Sequence, residues 1–183
     1  MRKRQREKVI NITTNITTTI LEVLFRLGGA TSDILSNRKD FYNQINSHGF
    51  DRIAISNRVR DLINSGHIEA AEESGSKSVR LTRKGKIKRL EQNTDHDSDG
   101  KWRFISFDIP EDRKPLRVAL TRSLRRIGYK PIQKSLWACP FNKVDDIDLL
   151  ITEMGINEFV ANFRIETTDI EEHLKELFDS ELA

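Results

Sequence analysis

Residues 92–100, Gln-Asn-Thr-Asp-His-Asp-Ser-Asp-Gly, hold no large apolar side chain. Nine such residues in a row cannot join a hydrophobic core, so the 183-residue chain folds as two small units separated by a linker. The two sides differ in charge. Residues 1–92 carry 18 Lys and Arg against 10 Asp and Glu, a net +8, while residues 93–183 carry 13 against 18, a net −5. A basic half joined to an acidic half places any nucleic-acid contact on the first.

Composition removes several classes. No apolar run approaches the ~18–20 residues that a membrane-spanning helix needs, so no membrane partner is expected. Cys139 is the only cysteine. It cannot pair within the chain, and a lone thiol fits a reducing, cytoplasmic setting. Nine Gly and four Pro exclude collagen-like or low-complexity character. Met1–Lys8 holds five basic residues, but the stretch that follows is mostly polar, so it lacks the apolar core of a secretion signal. Residues 1–15 read as a basic arm, either a solvated start or a segment lying on DNA phosphate or in the minor groove.

The first half reads as helix, helix, helix, ribbon, helix. Ile16, Ile20, Leu21, Val23, Leu24 and Leu27 recur at helical spacing, and Gly28-Gly29 stops the pattern. A second helix is expected over Ser32–Ser47, capped by Ser32 or Asp33, with Phe41, Tyr42 and Ile45 inward. A third runs from about Asp51 to Ser65 and ends at Gly66. On a helical wheel Ile55, Val59, Leu62 and Ile63 share one face, and Ser56, Asn57, Arg60 and Asn64 share the other. Residues 67–71 and 78–81 read as two strands around a turn, and Thr82 caps a last helix over Arg83–Leu90. Residues 16–91 thus form a winged helix-turn-helix, whose second motif helix, Asp51–Ser65, is the one placed in the major groove.

The second half alternates between sheet and helix. Lys101–Pro110 is strand-like, Arg113–Ile127 is an amphipathic helix closed by Gly128, and Tyr129–Leu136 and Trp137–Pro140 are two strands in close succession. Asp145–Met154 is a helix stopped by Gly155, and Glu158–Glu166 is a fourth strand. The β-α-β-β-α-β order over residues 101–167 is the ferredoxin-like pattern. Thr168–Leu182 is an acidic amphipathic helix within a C-terminal segment 168–183, free to pack on a neighbour or on a partner chain. The fold class is therefore α+β: a winged helix-turn-helix, a linker at 92–100, a ferredoxin-like domain and a C-terminal helix.

Particular motifs carry a family resemblance. Phe107-Asp108-Ile109-Pro110, a basic helix, Gly128-Tyr129, then Gln133-Lys134-Ser135-Leu136-Trp137 and Pro140 resemble the central domain of the PaaX-like repressors of phenylacetate catabolism. Leu81-Thr82-Arg83-Lys84-Gly85 resembles the usual exit of a winged helix, which precedes that domain in these repressors. The central domain is similar in turn to the small ferredoxin-like CRISPR-associated protein that pairs with the Cas integrase. PaaX-like repressors continue into a further domain, whereas this sequence runs to Ala183, so acyl-CoA sensing is not part of the expectation.

Ser56, Asn57, Arg60 and Asn64 are the candidates for reading bases, because Arg grips guanine and Asn grips adenine through paired hydrogen bonds in the major groove. The same residues would also suit an ordinary solvated helix face. Arg58, Lys77, Arg80, Arg83, Lys84 and Lys86 are the candidates for phosphate contacts, which position without reading sequence. Lys88 and Arg89 extend that set. From Arg113 to Lys134 there are eight basic residues and no acidic one. That helix offers either a second DNA surface or a partner for the acidic tail, which includes Asp169, Glu171, Glu172 and Glu176.

By resemblance to the CRISPR-associated proteins, Asp108 would meet its copy in a dimer around Mg²⁺ and act as both metal ligand and catalytic group. The alternative is a structural aspartate capping the next helix. The four histidines show no ligand spacing, and glycine-rich nucleotide loops and a Gly-x-Ser-x-Gly elbow are absent from the sequence. Cys139, Trp102 and Trp137 read as core.

The resulting expectation is a homodimeric, DNA-binding transcriptional regulator, a repressor by resemblance, acting on double-stranded palindromic DNA without a cofactor and with no effector specified. The alternative is a Mg²⁺-dependent endonuclease or spacer-acquisition factor built on Asp108.

Overall fold

The computed structural model describes residues 16–26, 38–73, 76–93 and 97–179. The basic arm at 1–15, the glycine pair at 28–29, the cap at 32–33 and the last residues of the acidic helix lie outside the described residues. The chain divides into two compact units, Met1–Arg89 and Leu90–Ala183.

In the first unit, α1 spans residues 16–26, α2 Arg38–Asn46 and α3 Arg52–Asn64. Strands β1 (Ile68–Glu73) and β2 (Ser76–Leu81) form an antiparallel ribbon, and α4 covers Arg83–Leu90. The apolar periodicity of the helices converges on one core: Ile20 and Leu21 of α1, Phe41 and Ile45 of α2, Ile55 and Leu62 of α3, and Ile68 of β1 are buried together. Val59 packs against this cluster from partial burial. Ile63, expected inward, stays 37% exposed, because it lies about 100° from Leu62 on a helix that turns ~100° per residue.

Both ends of α3 are fixed locally. The Asp51 carboxylate accepts the N–H groups of Ile53 at 2.6 Å and Ala54 at 3.4 Å, satisfying donors that the first turn leaves open. At the exit Gly66 adopts φ +70°, a conformation that favours glycine. Thr82 Oγ1 donates to the Gly66 carbonyl at 2.7 Å and also accepts the Gly85 N–H at 3.1 Å, starting α4. Lys84 Nζ donates to the Ser65 carbonyl at 2.7 Å.

In the second unit, β3 (Trp102–Phe107) leads through a short 3₁₀ turn at Glu111–Arg113 into α5 (Lys114–Ile127). Then come β4 (Lys130–Pro131), β5 (Leu136–Cys139), α6 (Val144–Met154), β6 (Val160–Ile165) and α7 (Glu171–Leu177). The sheet order is β4-β5-β3-β6, with every neighbouring pair antiparallel. A β-α-β-β-α-β chain with its first and third strands central is the split arrangement that the sequence order predicts.

One expectation is corrected, and one that was left open is resolved among the described residues. The strand expected over Tyr129–Leu136 pairs only at Lys130–Pro131, because the chain turns back where the Ile132 and Gln133 N–H groups donate to the Leu136 carbonyl. The acidic helix, expected over Thr168–Leu182, is α7, and it packs on the sheet of its own unit. Leu174 and Phe178 are fully buried against Trp102, Phe104 and Ala138. Lys130 Nζ donates to the Leu177 carbonyl at 2.7 Å, closing the end of α7. Strand alternation sends Ile105 and Trp137 to the other face, where the Arg125 guanidinium of α5 lies 5.2 Å from the Trp137 ring centre. No helix among the described residues is long and apolar enough to cross a membrane.

Candidate nucleic-acid interface

Burial of Ile55 and Leu62 turns one face of α3 inward and fixes which face is outward. Asn57, Arg60 and Asn64 project from that outward face, all exposed, while Ser56 at its flank is half-buried. Three of the four candidate base readers therefore form one exposed polar stripe. Its angle to the ribbon is held by the hydrogen bonds of Thr82 and Lys84 to the α3 exit.

The candidate phosphate contacts divide into several groups. Arg58 is turned back onto the core: its Nε donates to Thr17 Oγ1 of α1 at 2.6 Å and its NH1 lies 3.7 Å from Asp61. Lys84 is engaged at the α3 carboxyl end. Arg80 pairs with Glu69, its cross-strand partner in the ribbon. Arg80, Arg83 and Lys86 line one open groove of about 630 Å³, shared with Leu24, Phe25 and Leu81. Lys77 sits opposite Glu72 in the ribbon register. Arg89 is also drawn inward, donating to Glu22 of α1 at 2.7 Å beneath a ring contact with Phe25. Among the described candidates Arg60, Arg80, Arg83 and Lys84 are exposed, Arg80 paired with Glu69 and Lys84 bonded to the Ser65 carbonyl.

The sequence reading missed one residue of this face. Ile53 is 72% exposed on the same stripe as Asn57, Arg60 and Asn64, following the i, i+4, i+7, i+11 spacing of a helix. The signal was present: Ile53 is out of phase with Ile55 and Leu62.

In the second unit, the basic helix does not meet the acidic tail among the described residues, since α7 covers the opposite sheet face. Arg117 and Lys114 pair with Glu111, Arg113 with Glu158, and Arg126 with Glu91. The Arg117 bond holds the Glu111 carboxyl below its ordinary range. Asp108 is exposed just past the end of β3, its N–H donating to the Phe159 carbonyl at 2.9 Å. Its carboxylate caps neither the 3₁₀ turn nor α5, whose first residues take no side-chain cap. Among the described residues no three His, Cys, Asp or Glu side chains gather into a metal-sized group. Cys139 is buried, and burial pushes its thiol up to about 11, so it stays protonated and unreactive at neutral pH.

Buried Arg103 makes the other polar cluster of this unit. Its guanidinium donates to Asp99 at 2.7 Å, to Asn142 at 3.1 Å and to the Lys101 carbonyl at 3.1 Å. That bond from Arg103 holds the Asp99 carboxyl low. Together with Ser98 donating to the Pro140 carbonyl and the Asn142 N–H to the Asp97 carbonyl, it fastens residues 97–101 to the sheet.

These features define an α+β protein with a helical, ribbon-bearing basic unit followed by an antiparallel β-α-β-β-α-β domain. Residues 95–177 match the family model described as the PaaX protein central Cas2-like domain. Over that stretch the protein is similar to the PaaX central domain. No curated protein matches the chain.

Proposed function

We propose that this protein is a DNA-binding transcriptional regulator of the PaaX-like kind, a repressor by that analogy, acting as a homodimer on a palindromic operator. In this reading the first unit is a winged helix-turn-helix with α3 in the major groove, and the central domain joins two copies. The observation that carries it is the exposed stripe of Asn57, Arg60 and Asn64 on a helix whose other face is core. Arg and Asn are the side chains whose paired donors and acceptors match guanine and adenine edges. The net +8 of residues 1–92 supplies the phosphate attraction. Two-fold symmetry then sets half-sites about one helical turn apart or a multiple of it.

The test is selection of sheared genomic duplex by the full chain at ~150 mM salt with EDTA present, where nonspecific phosphate binding is weak. Enrichment of an inverted repeat upstream of a gene is expected. Retention without any enriched sequence would overturn the reading.

Asp108 favours a second reading, a metal-dependent endonuclease or spacer-acquisition factor, because its carboxylate is exposed and caps no helix. Among the described residues no partner carboxylates gather with it into a Mg²⁺ site. This reading therefore needs the carboxylate of a second copy. Mg²⁺- or Mn²⁺-dependent cleavage that disappears in Asp108→Ala would establish it, and equal cutting by that variant would sink it.

A further inference from the structure

We infer that Ile53 is a specificity residue, reading thymine by packing against its 5-methyl group in the major groove. The inference rests on the reading of α3 as the DNA-contacting helix. Ile53 is the most exposed large hydrophobic side chain among the described residues, at 72%, ahead of Val118 and Phe163 at 47%. It belongs neither to the core cluster nor to the residues packed against it. Local structure gives no reason for it either. A β-branched residue is a poorer helix former than Ala, Glu or Lys, and the cap of this first turn is already supplied by Asp51.

What could cover it must suit its neighbours as well. Asn57, Arg60 and Asn64 occupy the same stripe, so a partner that buries Ile53 also meets one guanidinium and two amides. An apolar protein surface would leave those groups unpaired, at a desolvation penalty that exceeds the gain from one isoleucine. The major groove offers donors and acceptors on base edges beside a single apolar group, the thymine methyl. The net +8 of residues 1–92 also favours a polyanion.

The experiment is a selection from a random-sequence duplex library, built once with thymine and once with deoxyuridine, which differs only by the missing methyl. The full-length wild type and Ile53→Ala are both selected. We expect the wild type to enrich a motif with a fixed thymine in each half-site. Replacing that thymine by deoxyuridine should weaken binding roughly four-fold per half-site, the factor for one buried methyl-sized group at ~0.8 kcal/mol. Ile53→Ala should bind both forms alike, with a melting temperature unchanged or slightly raised, since the position is exposed and Ala is the better helix former. A wild-type motif indifferent to the methyl would overturn the inference while leaving sequence-specific binding intact. Continued discrimination by Ile53→Ala would overturn it too. Enrichment of no motif in the thymine library would remove the DNA-reading role of α3 itself. The deoxyuridine comparison requires no variant, so the outcome does not hang on the behaviour of a mutant.

Discussion

Arg89 and Glu22 are separated by 67 positions in the chain and meet at 2.7 Å, the arginine Nε donating to one carboxylate oxygen. Arg26 donates to the other oxygen at 2.9 Å, and the Arg89 guanidinium lies 3.6 Å from the Phe25 ring centre. The contact fastens the last turn of α4 to α1. Burial alone would push the Glu22 carboxyl up, but the bonds and charges of Arg89 and Arg26 outweigh it and hold the group below its ordinary 4.5. A carboxyl with a lower value folded than unfolded stabilises fully above the unfolded value and loses that contribution as pH falls through the folded one. Chemical denaturation of the wild type should show the first unit weakening below about pH 4.5. Glu22→Gln should lower its stability at pH 7 and flatten the acid limb. An unchanged acid limb in that variant would show that Glu22 carries none of it.

Arg58 and Arg60 are two residues apart on α3 and should fail differently. Arg58 is bonded to Thr17 across the helix interface, and Arg60 is exposed on the outward stripe. Loss of a partly buried charged hydrogen bond in Arg58→Ala should cost about 1.5–3 kcal/mol of stability, read as a lower denaturation midpoint. Arg60→Ala should leave that midpoint in place and weaken binding to the selected duplex by about 1–3 kcal/mol. A shared phenotype would mean that the two side chains do not divide structure from recognition.

The same pair shows how much of the site was legible in the sequence. The inward and outward faces of α3 follow from helical period, so Asn57, Arg60 and Asn64 could be placed without coordinates. Arg58 stands at the border between faces. Its fate was decided by Thr17, 41 positions away, which no local pattern reports. The helix ends were legible because they are local: Thr82 before α4, Gly128 and Gly155 after α5 and α6, while Asp51, read only as the approximate start of α3, is its cap. The second strand of the β-α-β-β-α-β domain was not. Apolar and aromatic residues extend its strand-like pattern to Leu136, but Pro131 supplies no N–H and the chain turns back just beyond it. The destination of α7 depended on which sheet face had room for Leu174 and Phe178, a question of tertiary packing.

Arg103 was equally hidden, since alternation along β3 gives no reason for a fully buried cation. It is 1% exposed, and its Nε is a buried donor without a partner, so its burial is held by Asp99, Asn142 and the Lys101 carbonyl. Arg103→Ala removes both the ties and the volume and should destabilise the second unit by about 3–5 kcal/mol. Arg103→Met restores the apolar volume and frees the partly exposed Asp99 to meet water. It should recover most of that loss, as apolar replacements of buried ion pairs often do. Thermal unfolding of the two variants side by side decides it. Equal destabilisation would mean that the bonds to residues 97–101, and not the filled volume, stabilise this end of the central strand.

Gly85 offers a test in which two effects predict opposite signs. It is a buried glycine in the first turn of α4, where a helix would ordinarily gain ~1 kcal/mol from alanine. A Cβ built there would overlap the His67 carbonyl oxygen, lie 3.0 Å from the His67 carbonyl carbon and 3.2 Å from Leu81 Cδ2. Backbone cannot swing aside as a long side chain can, so α4 would have to lift from the start of β1. That lift would break the bond from the Thr82 N–H to the His67 carbonyl and strain the Lys84 bond to Ser65. Gly85→Ala should therefore destabilise the first unit by a net ~1–2 kcal/mol, within the usual cost of overpacking. The drop in melting temperature should be about 4–8 °C per kcal/mol for a unit of this size. Because the same junction sets the angle between α3 and the ribbon, affinity for the selected duplex should also fall at temperatures where the variant is fully folded. A rise in melting temperature would show that helix propensity outweighs the close approach, and that α4 can move off His67 at little cost.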